Sequence, residues 1–159
     1  MERLFAPWRN AYVTATPTDG CVLCRALADA SGPESLVVHL AAHNFVVMNL
    51  YPYSSGHVMV APRRHVGRLA DATAEELGEM MALARRLEEV LQRAYAPEGF
   101  NLGMNLGKPA GAGVADHLHL HVVPRWTGDT NFMTVAGGTR VIPEDPRAAA
   151  ARLRSDFAK

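Results

Sequence analysis

Excess charge of either sign is missing: sixteen Lys and Arg offset sixteen Asp and Glu, so the formal net charge at neutral pH is zero. A balanced chain has no electrostatic footprint for gripping a nucleic-acid polymer or an anionic membrane, although a small phosphorylated ligand needs only a few donors. Cysteine is scarce as well. The two present, Cys21 and Cys24, are too few for a disulfide framework and suit a reducing compartment with metal or redox chemistry. Long apolar runs are also absent: none approaches the roughly 18 residues of a membrane span, and the start Met1 to Trp8 lacks the apolar stretch of a secretory signal. These gaps predict a cytoplasmic protein with no membrane partner. What is there is 48% apolar residues spread over 159. That is enough for the core of one domain over 1–159 and argues against disorder or a fibrous repeat.

Along the chain, Phe5, Pro7, Trp8, Tyr12 and Pro17 follow no period, so residues 1–20 are expected to form an irregular but ordered arm. The body is expected over about 21–125, followed by a C-terminal extension, 126–159. After Cys21 a short helix runs toward Ala30 and stops at Ser31-Gly32-Pro33. Leu36 to Leu40, Phe45 to Leu50 and His57 to Ala61 read as an antiparallel meander, with Tyr51 to Gly56 as a loop. Thr73-Ala-Glu-Glu76 matches a capping box. The helix it opens carries Leu77, Met80, Met81, Ala84, Leu87, Val90 and Leu91 on one face, the methionines as core filler, and ends at Pro97 and Gly99. Strands at Phe100 to Leu106 and Leu118 to Val123 flank a glycine-rich loop at 107–113, and 146–157 fits a short helix if Pro146 lies in its first turn. The fold class is therefore α+β: an antiparallel sheet of about five strands, with one long helix and short helices covering one face.

The stretch Asp116-His-Leu-His-Leu-His-Val-Val-Pro-Arg-Trp126 carries the chemistry. On a strand, side chains alternate, so His117, His119 and His121 share one face about 7 Å apart, and Leu118, Leu120 and Val122 face the core. The bland reading is a polar strand face in solvent, but such positions usually hold Thr, Lys or Glu; three histidines in succession point to a surface or cleft where imidazole serves as nucleophile, proton donor or metal ligand. The outer two are about 13 Å apart at their backbones, too far for all three to hold one ion. Cys21-x-x-Cys24 by itself is compatible with zinc, a redox pair or two buried thiols. His39 and His43 read as ordinary edge or turn residues.

Further features share this order and spacing: Asn49 eight residues before the Gly56-His57-Val-Met-Val-Ala-Pro strand, Gly99-Phe-Asn-Leu-Gly-Met-Asn105, and an Ala-Gly loop before the histidines. Together they resemble the histidine triad (HIT) nucleotide hydrolases and transferases over most of the chain. The likeness is greatest to the bacterial diadenosine tetraphosphate phosphorylase and hydrolase branch, through Ala6-Pro-Trp-Arg9, Asn49-Leu-Tyr-Pro-Tyr53 and Val123-Pro-Arg-Trp126-x-Gly-Asp-x-Asn-Phe132. The resemblance implies cleavage of dinucleoside polyphosphates through a covalent nucleotidyl intermediate on His119, with His121 and His57 donating to phosphate oxygens. It also implies Asn49 on the ribose, Asn105, Gly111 and Gly113 near the phosphates, and no redox or organic cofactor. Cys21, Cys24, His65 and His117 become a structural zinc shell, and a homodimer is the expected assembly. Where many HIT hydrolases have Ala-Gly-Gln before the triad, this chain has Ala110-Gly-Ala-Gly113, and the missing amide side chain leaves room for inorganic phosphate in place of water. Other readings of the same residues are a nucleoside phosphoramidase, an adenylyl sulfate-splitting enzyme, a non-catalytic purine nucleotide sensor, and a small zinc-binding adaptor.

Overall fold

The computed structural model describes residues 20–129 and 144–158. Of the arm expected over 1–20, all but Gly20 lies outside them, as does the Asn131-Phe132 end of the last motif. Among the described residues there are three α-helices: α1 (Val22–Ala28), α2 (Ala74–Tyr95) and α3 (Pro146–Phe157). Five strands, β1 (Val37–Leu40), β2 (Asn44–Met48), β3 (Val58–Pro62), β4 (Gly99–Gly103) and β5 (Leu120–Arg125), form one sheet in the order β1-β2-β3-β5-β4. Every neighbouring pair is antiparallel. None of these helices is long and apolar enough to cross a membrane.

The pleat sorts the strand residues onto two faces. Val46, Met48, Val58, Val60, Leu120 and Val122 pack with Met80, Leu83, Leu87 and Leu91 of α2 and with Ala149, Ala150, Leu153 and Phe157 of α3. On the opposite face Phe45, Val47 and Ala61 pack with Leu23, Ala26 and Leu27 of α1. Helices thus cover both faces, in contrast to the expectation of one: α1 is amphipathic enough to bury Leu23 on the second face, at the β1–β3 side.

The long helix starts as expected, with the Thr73 hydroxyl accepting from the Glu76 amide at 3.2 Å and the Glu76 carboxylate accepting from the Thr73 amide at 2.8 Å. Its buried face is Met80, Leu83, Ala84, Leu87, Val90 and Leu91; Met81 is 56% exposed and is not core filler. Two acidic residues of this helix act structurally. Glu76 is buried and held by Arg64 through Nε and Nη2 at 3.0 and 2.9 Å, which keeps its carboxyl below the usual carboxylate range. Glu79 accepts from the amides of Ala42, His43 and Asn44 at 3.1, 2.8 and 2.7 Å, fastening the β1–β2 turn to the helix. At the C-terminal end, Asp145 caps α3 by accepting from the Arg147 and Ala148 amides, and Pro146 sits in its first turn.

Where α2 ends, Ala96 takes the left-handed conformation (φ 45°, ψ 52°) just before Pro97. An L-residue with a Cβ is strained there and glycine is not. Ala96→Gly is therefore expected to raise stability by about 0.5–1 kcal/mol, net of the entropy glycine adds to the unfolded chain; a urea midpoint that falls instead contradicts the assignment of strain.

Candidate active site and metal cluster

The register places Met59 opposite His121 and His121 opposite Gly103, so the part of the second sheet face beyond α1 lies over β3, β5 and β4. His121 projects onto that face because Leu120 and Val122 are turned into the core. His119 and His117 precede the regular strand, which begins only at Leu120. Alternation nevertheless continues as expected, with Leu118 joining Leu120 and Val122 in the main core, while the three imidazole rings are unevenly spaced. His119 and His121 meet with ring centroids 4.8 Å apart, whereas the His117 ring turns toward His65, at 5.2 Å, and is fully buried.

Hydrogen bonds define which nitrogens carry protons. His119 Nδ1 lies 2.8 Å from the His117 carbonyl; a carbonyl only accepts, so Nδ1 bears the hydrogen and Nε2 keeps its lone pair. The Tyr53 amide donates to His57 Nδ1 at 3.0 Å. His57 Nε2 then bears a hydrogen and donates to His121 Nδ1 at 2.9 Å, leaving His121 with Nε2–H. The site therefore contains, side by side, one imidazole with a free lone pair and one with a free N–H.

Asn49 serves this arrangement from the β2 end: its Oδ1 accepts from the Tyr51 amide at 3.0 Å and its Nδ2 approaches His57 Nδ1 at 3.3 Å. Gly56, immediately before His57, has φ +74°, and a Cβ there would meet Tyr95 Cε2 at 2.8 Å. Asn105 donates to the Gly111 carbonyl at 3.4 Å. In the loop it holds, the amides of Ala110, Gly111 and Ala112 bond to the carbonyls of Gly107, Lys108 and Gly107 at 3.1, 3.0 and 3.3 Å. Those three amides are used within the loop, which sequence reasoning had aimed at an anion. Tyr53 was not singled out from the sequence beyond its motif, since an aromatic in a loop gives no signal of contact with histidine.

Cys21, Cys24, His65 and His117 come together, their ligand atoms all within 4.8 Å of one another. Cys21 Sγ and Cys24 Sγ lie 3.3 and 3.5 Å from His117 Nδ1, and Cys24 Sγ lies 3.3 Å from His65 Nδ1. Metal–ligand lengths for zinc give tetrahedral sulfur–nitrogen edges of about 3.6 Å, so the donor set fits. His117 Nε2 bonds to the Pro62 carbonyl at 2.8 Å, which leaves Nδ1 unprotonated toward the sulfurs, the outer-shell arrangement typical of a ligating histidine. Burial, with Cys21 beside it, pushes the Cys24 thiol up; a bound divalent cation would reverse that direction. The four residues can hold a metal.

The HIT domain model matches residues 33–128. The chain belongs to the HIT family. It is 40% identical to a Mycobacterium tuberculosis protein named AP-4-A phosphorylase, across all of this chain and 86% of that one. A Schizosaccharomyces pombe bis(5'-nucleosyl)-tetraphosphatase (asymmetrical) is 37% identical, covering 52% of this chain and 44% of the other. Among solved structures, a zinc-bound histidine triad protein from Mycobacterium smegmatis superposes with a TM-score of 0.69 at 28% identity, over 87% of this chain and 94% of that one. The expected HIT fold and enzyme class are thus met; the relatives named as a phosphorylase and a tetraphosphatase are HIT enzymes.

The His121 ring titrates well below an ordinary histidine, at about 4, because burial disfavours its charged form and His119 adds to the effect. The unfolded chain binds a proton at this ring near pH 6.5. Acid between those values therefore favours unfolding: the contribution is complete above pH 6.5 and is lost as the pH falls toward 4. His39 and His117, also lowered by burial, act in the same direction. Denaturant titrations of wild type and His121→Asn should differ by a term that changes between pH 6.5 and 4; a constant difference counters the assignment.

Proposed function

We propose that this protein transfers a nucleotidyl group from a dinucleoside polyphosphate to inorganic phosphate, with water as the lesser acceptor. The observation that carries this reading is the His119 Nδ1–H bond to the His117 carbonyl, which leaves His119 Nε2 a neutral lone pair in a ring packed on His121. His119 Nε2 would attack the α-phosphorus. An N–P bond forms, the bridging P–O bond breaks, and the rest of the polyphosphate leaves with the bond's electron pair. An oxygen of inorganic phosphate then attacks the same phosphorus and releases His119, so diadenosine tetraphosphate yields ATP in the first half and ADP in the second. His121 Nε2–H donates to the oxygen where negative charge grows, and His57 supports it through Nδ1 of His121. Asn49 retains a second amide hydrogen and a second oxygen lone pair for ribose hydroxyls. Asn105 and Gly111, followed by Gly113, form the loop beside the phosphates, with Ala112 and Gly113 leaving space for the acceptor.

A structural zinc held by Cys21, Cys24, His65 and His117 belongs to the same reading, supported by the donor set and the zinc-bound relative. When bound, the ion would neutralise the two thiolates and cross-link α1 to the segment before β5. A homodimer in the cytoplasm is the assembly that fits the family and the two free thiols.

Incubation with diadenosine tetraphosphate should give ADP plus ATP only when phosphate is added, and His119→Ala should lower kcat/KM by at least about a thousandfold. AMP plus ATP without dependence on phosphate replaces phosphorolysis by hydrolysis; full activity in the variant removes His119 from the chemistry. Protein purified without chelators should carry about one zinc per chain. Cys24→Ser should lose it and unfold at lower temperature; less than about a tenth of an equivalent in wild type overturns the zinc assignment.

A further inference from the structure

Tyr53 lies in the loop between β2 and β3 and touches the site twice. Its amide donates to His57 Nδ1 at 3.0 Å. Its ring packs on His57 with centroids 4.6 Å apart and on His121 at 5.7 Å, inclined by 42° and 31°. The two imidazoles are themselves 5.1 Å apart, so a single aromatic ring spans the pair.

The amide contact has a logical consequence. An N–H can only donate, so His57 Nδ1 must keep its lone pair, and the hydrogen passes to Nε2, which faces His121 Nδ1 at 2.9 Å. A second proton on His121 would have to enter at Nδ1, against the His57 N–H, and would break that bond. The ring has a separate consequence. Stacked aromatic area displaces water from the imidazole faces, and loss of water disfavours the charged form of a histidine. Among the described residues, the titratable groups facing His121 are His57 from just before β3, His119 from the segment before β5, and Tyr53 from the loop, with Gly103 of β4 across the ladder.

We propose that Tyr53 is a positioning residue of the site, its amide holding the His57–His121 pair in one tautomeric arrangement and its ring shielding that pair from water. His121 is thereby kept neutral with Nε2–H directed at the substrate. The identity of the phosphate oxygen that receives this hydrogen rests on the function proposed above; the tautomer lock and the shielding do not.

The test is nitrogen NMR of the full chain labelled at histidine, with its native metal content, recorded from pH 5 to 8. Wild type, Tyr53→Phe, Tyr53→Leu and Tyr53→Ala are compared. The lock requires both His57 and His121 of wild type to carry their hydrogen on Nε2; a hydrogen on Nδ1 of either ring overturns it. Shielding requires Tyr53→Ala and Tyr53→Leu to raise the His121 titration by about one unit and to move the acid limb of kcat/KM for diadenosine tetraphosphate upward by the same amount. Tyr53→Phe, which keeps ring and amide, should retain the wild-type titration. Unchanged His121 resonances in both ring-deleted variants overturn the proposal, and Tyr53→Leu decides the point if the alanine variant does not fold. Absence of turnover on diadenosine tetraphosphate in wild type would count against the proposed substrate alone, because the resonances still report on Tyr53.

Discussion

The hydrogen bond from His119 Nδ1 to the His117 carbonyl, 2.8 Å long, joins two centres through a single residue. The ring of His117 belongs to the cysteine–histidine cluster and is pinned from behind by the Pro62 carbonyl. Its backbone oxygen fixes the tautomer of His119. Whatever holds the His117 ring therefore also fixes where the His119 lone pair points, and a rotation of that peptide would cost both. Alternation persists through this irregular segment, with Leu118, Leu120 and Val122 in the main core and His117 beside Phe45 on the second face. There the His117 ring meets the cysteines while His119 and His121 stay together.

The rest of the fold keeps that segment in place. Leu118, Leu120 and Val122 anchor the segment in the main core, and the Leu118 amide bonds to the Val66 carbonyl at 2.6 Å just beyond β3. Helix α3 is part of the same core: Ala149, Ala150, Leu153 and Phe157 are all nearly inaccessible, and Phe157 is flanked by the His39 ring and the Arg86 guanidinium. The helix end is tied to α2 by Glu144, which accepts from the Tyr95 hydroxyl and from Arg152. Since Tyr95 also packs against Gly56, the C-terminal helix reaches the residue that precedes His57 in two contacts.

Much of this was legible in the sequence because it is written in local periods and caps. The meander, the capping box at Thr73 and Glu76, the buried stripe of α2 and the helix opening at Pro146 each depend on residues within one or two turns of each other. The choice of Cys21, Cys24, His65 and His117 came from the family resemblance, and the structure brings those four together. What the sequence did not disclose depends on distant partners. The burial of Glu76 requires Arg64, the use of Glu79 requires three amides on another element, and the exposure of Met81 reflects a stripe slightly narrower than the apolar residues suggest. The uneven spacing of the histidine rings follows from a carbonyl and a cysteine–histidine cluster that no alternation rule contains, and helix α1 fell on the second face because a short apolar period does not specify which side of a sheet it covers.

The internal use of the loop amides bears on how a polyphosphate can be held. With Ala110, Gly111 and Ala112 bonded inside the loop, the anion cannot rely on a full cradle of backbone N–H groups. A donor that its hydrogen bonds do define is His121 Nε2–H, a neutral donor kept so by burial. A neutral donor suits the proposed reaction better than an imidazolium would. An imidazolium beside His119 would lower the nucleophilicity of its lone pair and bind the ground-state phosphate strongly, whereas a neutral N–H strengthens its bond as charge accumulates on the oxygen in the transition state. Neutrality requires that His121 receive a hydrogen bond at Nδ1 rather than carry a proton there. The relay from the Tyr53 amide through His57 supplies that bond, so the loop between β2 and β3 sets the charge state of a histidine on β5.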